Sequence, residues 1–201
     1  MRFLIAAICL SVAAIGWVTL APTPVPAPSP VATAPAGSAP QADPASANTG
    51  PLTGFPAQFD HQLVSVQDGH FNDFDAATLR NVKYFAFYYS ASWCPPCRAF
   101  TPKLVDFYND FKSKHPDFEL IFVNHDQNEE DMLSYMTNDR MPWPAVRFAD
   151  IDGTNANKFC GDGIPDLVLV NANGDVLSDS FNGSQYVGPY KVLDDIQAIV
   201  K

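Results

Sequence analysis

Residues Lys83 to Ser90 read KYFAFYYS, and a few positions later the chain reads Trp93-Cys94-Pro95-Pro96-Cys97-Arg98. A run this aromatic, apolar on both faces, does not suit a surface strand and predicts a central strand covered on both sides. Beyond the second cysteine, Phe100, Leu104, Phe107, Tyr108 and Phe111 recur at helical spacing until Pro116 ends the pattern. A buried strand that hands over to an amphipathic helix commits the chain to layered α/β architecture. It also places both sulfurs at a helix amino terminus, where unpaired N–H groups and the helix dipole favour a thiolate.

The rest of the pattern extends this unit. Phe118 to Asn124 (FELIFVN) predicts a second buried strand, parallel to the first, and Asp126 with Glu129 predicts a capping box opening the acidic helix NEEDMLSYM. DLVLVN (Asp166–Asn171) and Asp175–Leu177 flank Ala172-Asn173-Gly174, a hairpin signal. Val192, Ile196, Ile199 and Val200 mark a closing helix. The order is βαβα followed by ββα, with an edge strand expected at Leu63–Val66.

Upstream the composition changes. Of 18 prolines, ten fall between Pro22 and Pro56, in a stretch with a single charge at Asp43. Such a Pro/Ala-rich segment predicts a disordered spacer. Before it, Arg2 precedes an uncharged apolar run, Phe3 to Ala21, of about bilayer-spanning length. The division is therefore 1–21 as a signal peptide or amino-terminal membrane anchor, 22–58 as linker and 59–201 as the folded domain. Pro22 follows the small-x-small site Thr19-Leu20-Ala21 and obstructs cleavage, so both a cleaved signal and a retained anchor stand. Either reading places the domain outside the cytoplasm, in a periplasmic or other extracytoplasmic space, tethered by residues 3–21 if the anchor is kept. Cys9, inside the apolar run, reads as a small apolar filler.

Charge narrows the partners. Arg2 and Asp43 cancel, so the chain from Phe59 onward holds 11 Lys and Arg against 21 Asp and Glu and carries the whole net charge of −10. Nucleic acid is disfavoured, because neutralising phosphates needs clustered cations, and so is an anionic membrane surface. The cysteine pair has two rival readings. A structural zinc takes four ligands, whereas the only other cysteine past the apolar run is Cys160, without a histidine at knuckle spacing. A purely structural bridge across so short a loop restrains little of the unfolded chain. A redox pair remains: Cys94, the exposed sulfur, attacks a disulfide, and Cys97 resolves the mixed intermediate. Pro95 and Pro96 limit the turn's freedom and remove two N–H donors. Asp150-Ile151-Asp152-Gly153-Thr154-Asn155 lacks the spacing and closing glutamate of a calcium loop and reads as a turn.

Tyr84 to Leu104 (YFAFYYSASWCPPCRAFTPKL), Gly163-Ile164-Pro165 before DLVLV, and the hairpin NANGDV resemble the thioredoxin superfamily, most closely its tryparedoxin/nucleoredoxin-like branch. The resemblance spans about Phe71 to Lys201. It implies a thioredoxin-like α/β fold with a central mixed sheet flanked by helices. It also implies Cys94 as nucleophile, Cys97 as resolving cysteine and Pro165 as a cis-proline, with Ile164 offering backbone hydrogen bonds to an extended substrate. Met141 to Val146 (MPWPAV) looks like the branch's loop-helix before the proline loop. Two positions depart from related patterns. A buried aspartate six positions before the first cysteine is replaced by Tyr88, and the glutamate that TlpA-like tethered thioredoxins carry three positions after the second is replaced by Phe100. Water is then the simplest acceptor for the Cys97 proton.

The expected activity is that of an exported protein thiol-disulfide oxidoreductase, in the direction of a reductase fed by an unidentified electron donor. Its partners are protein disulfides or dithiols, and sulfur alone carries the chemistry, without metal or organic cofactor. The alternatives are a disulfide-installing oxidant and a non-catalytic binding module. Trp93, Pro95, Pro96, Ile164 and Pro165 form the expected substrate surface. Cys160, five residues before Pro165, and His125, after the second strand, are accessory candidates, each with a plainer reading: a buried small residue and a solvated loop. Arg98 reads as facing solvent.

Overall fold

The structure, a computed structural model, describes residues 51–201. The apolar run 3–21 and most of the Pro/Ala-rich stretch lie outside the described residues. Among the described residues no helix is long and apolar enough to cross a membrane. The elements are β1 (Leu63–Gln67), β2 (His70–Asp73), β3 (Tyr84–Ser90), α1 (Pro95–Lys112), β4 (Phe118–Asn124), α2 (Glu129–Asn138), β5 (Ala145–Val146), β6 (Asp166–Asn171), β7 (Val176–Asp179), β8 (Phe181–Asn182), β9 (Gln185–Tyr186) and α3 (Pro189–Ile199), with short 3-10 helices between them.

Seven strands form one sheet in the order β2-β1-β5-β4-β3-β6-β7, and β8 and β9 form a separate hairpin. β3 runs parallel to β4, with Ser90 opposite Asn124, and antiparallel to β6, with Tyr89 opposite Asp166. This mixed register fixes the site. The carboxyl ends of β3 and β4 and the amino end of β6 meet at one sheet edge, so the loops leaving Ser90 and Asn124 and the loop entering Asp166 converge there. The expected strand at Leu63 is present but is not an edge. It pairs with both β2 and β5, and β2 takes the edge.

β3 is buried on both faces, as its composition requires, but the two faces are covered differently. Ala86 and Tyr88 point toward α1, α2 and α3, against Phe100, Leu104, Tyr135, Trp143 and Ile196. Phe85, Phe87 and Tyr89 point to the other face, where 3-10 segments and aromatic side chains cover the sheet: Phe55, Phe59, Leu79, Ala156 and Phe159. Phe55 meets Phe59, Phe85, Phe87 and Phe159 edge-on, with centroids 5.4–6.2 Å away. Full burial of one such ring contributes about 1.5–3 kcal/mol. The folded part therefore begins no later than Phe55, inside the stretch 22–58 read as linker. Pro content masked one anchoring phenylalanine, Phe55.

Three local readings change. Asp126 does not cap α2. Asn128 does, its side chain accepting from Asp131 N–H at 2.8 Å, because the chain makes one further bend before the helix. Met141–Val146 forms no helix and ends in the two-residue β5, with Trp143 fully buried against Tyr88 and Tyr108. Asp150–Gly153 lies in a 3-10 helix (Phe148–Gly153) and not in an open turn.

Candidate functional site

β3 ends at Ser90, and Cys94 is the N-cap of α1. Pro95 and Pro96 occupy the first two helical positions and have no N–H, so the first free backbone donor of the helix is that of Cys97. It points at Cys94 Sγ, 3.3 Å away. The sulfur thus takes the place of the oxygen acceptor that usually caps a helix. The Arg98 N–H closes the first turn on the Cys94 carbonyl at 3.1 Å. Cys94 and Cys97 are joined as a disulfide, with Cα atoms 5.2 Å apart.

The outer sulfur is less open than the sequence suggests. Cys94 is 3% exposed and Cys97 fully buried, packed with Ala91 and Ile164. The reason is the loop entering β6: the Ile164–Pro165 peptide is cis, and the Ile164 carbonyl oxygen lies 3.8 Å from Cys94 Sγ. That loop is held from behind. Asp166 accepts the Gly161 N–H at 2.8 Å, and the Tyr186 hydroxyl, from the β8–β9 hairpin, donates to the Pro165 carbonyl at 2.8 Å. A Cβ on Gly161 would collide with the Phe181 ring of the same hairpin. What remains open around the disulfide is Trp93, 61% exposed, together with exposed Pro95, Pro96 and Arg98.

The third side comes from the end of β4. Asp126 Oδ1 accepts both the backbone N–H and the hydroxyl of Ser92 at 2.8 Å, and the His125 carbonyl accepts the Trp93 indole N–H at 3.2 Å. Asp126, assigned to a helix cap from sequence, therefore braces the turn that presents Cys94. Its partner lies 34 positions away in the chain, which no local pattern reports.

Beneath Cys97 lies a chain of buried hydroxyls. Thr101 Oγ1 lies 2.9 Å from the Cys97 carbonyl, 2.8 Å from the Tyr88 hydroxyl and 2.6 Å from that of Tyr135, which in turn lies 2.9 Å from Ser90 Oγ. One arrangement satisfies every atom: Thr101 donates to the carbonyl and accepts from both tyrosines, and Ser90 donates to Tyr135. Burial pushes Tyr88 well above the usual phenol range and raises Tyr135 as well, so both stay protonated at neutral pH and neither takes a proton from a thiol. They hold the backbone of Cys97. Thr101, one helical turn past Cys97, is the member that helix spacing could have revealed.

Cys160 and His125 do come together, with Sγ 3.8 Å from Nε2, over a pocket of about 400 Å³. Cys160 is a free thiol. Burial, and then the carboxylates of Asp166, Asp162 and Asp179, push it up to about 11. His125 is lowered by desolvation, with Asp126 opposing, and its ring meets Tyr89 edge-on. Among the described residues no group of three or more His, Cys, Asp or Glu could hold a metal ion. A second cavity, about 790 Å³ between Arg80, Lys83, His115 and Asp117, lies at the opposite end of β3 from Cys94.

The profile of the Thioredoxin-like family matches residues 81–176. The chain is 41% identical over 97 residues to a probable nucleoredoxin 1 of Arabidopsis thaliana, covering 48% of this chain and 16% of that protein. It is 36% identical over 124 residues to nucleoredoxin of Xenopus laevis, covering 61% and 28%. It thus spans less than a third of the length of these curated relatives. Among solved structures it is 32% identical to tryparedoxin I from Leishmania major, with a TM-score of 0.52, covering 69% of this chain and 92% of that one. A tryparedoxin II structure gives 32% identity and a TM-score of 0.54, covering 73% and 96%. Fold and likeness over nearly the whole of these two structures agree: the chain belongs to the thioredoxin superfamily, in its tryparedoxin/nucleoredoxin-like branch of thiol-disulfide oxidoreductases.

Proposed function

We propose that the protein is an exported reductase of protein disulfides, working through the Cys94–Cys97 pair. The observation that carries this reading is the Cys97 N–H directed at Cys94 Sγ at the head of α1, beside the cis Ile164–Pro165 loop. A donor held in place at the sulfur stabilises a thiolate in the reduced state.

In the reduced protein the Cys94 thiolate attacks one sulfur of a substrate disulfide. A mixed disulfide forms, and the other substrate sulfur leaves as a thiolate that takes a proton. Cys97 then loses its proton to water and attacks Cys94 Sγ. The Cys94–Cys97 disulfide forms, and the first substrate sulfur is released. Two electrons have moved to the substrate, and an external dithiol donor restores the reduced pair. The Ile164 backbone, Trp93 and the two prolines form the surface along which an extended substrate lies. Sulfur alone carries the reaction, so no cofactor enters it. Export rests on the apolar run within residues 1–21.

The test is a Cys97→Ser variant exposed to candidate substrates and resolved on non-reducing gels. A covalent adduct through Cys94, absent in Cys94→Ala, is expected, and so is loss of insulin reduction in Cys94→Ala. Turnover that survives Cys94→Ala overturns the mechanism. A measured reduction potential assigns the direction.

A further inference from the structure

The pocket beside the disulfide contains polar groups that nothing in the protein satisfies. Asn124, the last residue of β4, is 2% exposed, and neither atom of its amide has a hydrogen-bond partner. Asp126 is 9% exposed, and while Oδ1 holds Ser92, Oδ2 has no partner. Both side chains line the pocket of about 400 Å³. Orphaned buried polar atoms cost about 1–3 kcal/mol each unless something else meets them, and here they face a common space. Asp152 adds a second carboxylate to the wall, and no Lys or Arg lines it. His125, kept below the ordinary histidine range by desolvation, contributes no positive charge at neutral pH. Phe148 and Ile151 supply an apolar strip on the same wall.

These groups describe their complement: a donor-rich cation at the end of an apolar stem. A compact ammonium has three donors on a point, whereas a guanidinium spreads five in a plane and suits acceptors on several walls. Methylenes of an arginine pack on apolar side chains while the head meets carboxylates. The pocket is also adjacent to the chemistry. Its rim residue His125 accepts the Trp93 indole N–H, and Asp126 holds Ser92, so a substrate strand crossing Cys94 passes within a few residues of it.

We propose that this pocket is a specificity site that receives an arginine of the disulfide-bearing substrate polypeptide, near its reactive cysteine. The guanidinium donates to Asp126 Oδ2, Asn124 Oδ1 and Asp152, and Asn124 Nδ2 meets a carbonyl of the same segment. The assignment rests on the exchange reading above and sharpens it by naming the substrate class.

The test uses the full chain with disulfide-bearing peptides in which one arginine is walked position by position along both sides of the cysteine. Each peptide is paired with one carrying citrulline, which keeps the shape and loses the charge. At one position arginine is expected to raise kcat/KM about tenfold over citrulline, through KM. Asp152→Asn, at an exposed position where folding is not at risk, and Asn124→Leu are expected to bring that ratio to within about twofold of unity. Equal rates for arginine and citrulline at every position, or a preference that survives both variants, overturn the proposal. Adducts of Cys97→Ser with all peptides alike would do so while leaving the exchange reading intact. Adducts with none would strike both.

Discussion

Two thiol-bearing segments reach the same edge of the sheet, and they differ in the sign of what surrounds them. Cys94 caps α1, with a backbone N–H aimed at its sulfur and no first-turn acid in that helix. Cys160 ends a 3-10 helix (Asn155–Phe159) and faces Asp166, Asp162 and Asp179. Cys94 is the more buried of the two, yet it is the one in the disulfide, while the half-buried Cys160 remains free. Access is a poor guide to a reactive cysteine. A donor at the sulfur lowers the cost of the thiolate, and neighbouring carboxylates raise it. We propose that Cys160, raised by burial and by these acids, is the less reactive thiol at neutral pH.

The largest effect expected from this contrast is kinetic. With Cys160 at about 11, its thiolate is roughly one part in ten thousand at pH 7, whereas a cysteine in a Cys-X-X-Cys pair titrates near neutrality. In the reduced protein, iodoacetamide should label Cys94 about a thousandfold faster than Cys160, as read by mass spectrometry, and Cys160→Ser should leave disulfide exchange unchanged. Comparable labelling rates would break the comparison.

Next in size is a pH effect from the carboxylate that holds the cis-proline loop. Burial, opposed by the Gly161 N–H, pushes Asp166 up from 3.8 to about 6. Because the folded state binds this proton more tightly than the unfolded chain, the group's favourable contribution is complete below about pH 4. It is lost as the pH rises through 6. Urea unfolding should show a gain on the order of 2–3 kcal/mol on acidification from pH 7 toward 4, and Asp166→Asn should flatten it. A native protein whose stability is level across this window would show that the loop is not held by a buried, half-protonated acid.

The smallest effect concerns the uncharged support under Cys97. Thr101→Val removes a donor from the Cys97 carbonyl and an acceptor from two tyrosines, at a cost of about 1–3 kcal/mol in a thermal or urea melt. Tyr88→Phe, which removes one donor, should cost less. If the order were reversed, the one-way hydroxyl chain would be wrong.

Much of this was visible in local pattern. β4 spans the residues its apolar run marked, β3 lacks only Lys83, and α1 carries the stripe from Phe100 to Phe111. The second sheet face was not visible. Its cover comes from 3-10 helices, which are too short to show a periodic stripe, the first of them beginning at Phe55, between Pro51 and Pro56. Nor were the hydroxyl chain, the Asp126 brace or the unpaired Asn124, since each pairs or faces residues distant in sequence.

The sequence by itself determined the strand–helix order and the neighbouring cysteine pair, because periodicity and the Cys-Pro-Pro-Cys spacing are properties of adjacent residues, and its resemblance to known thioredoxin-like chains supplied the family. Only the tertiary structure decided which sulfur is sheltered, which acid braces the turn and where unsatisfied polar atoms gather. Those depend on the mixed register that brings the ends of β3, β4 and β6 to one edge, and burial and electrostatic sign are set there by side chains from loops far apart in the chain.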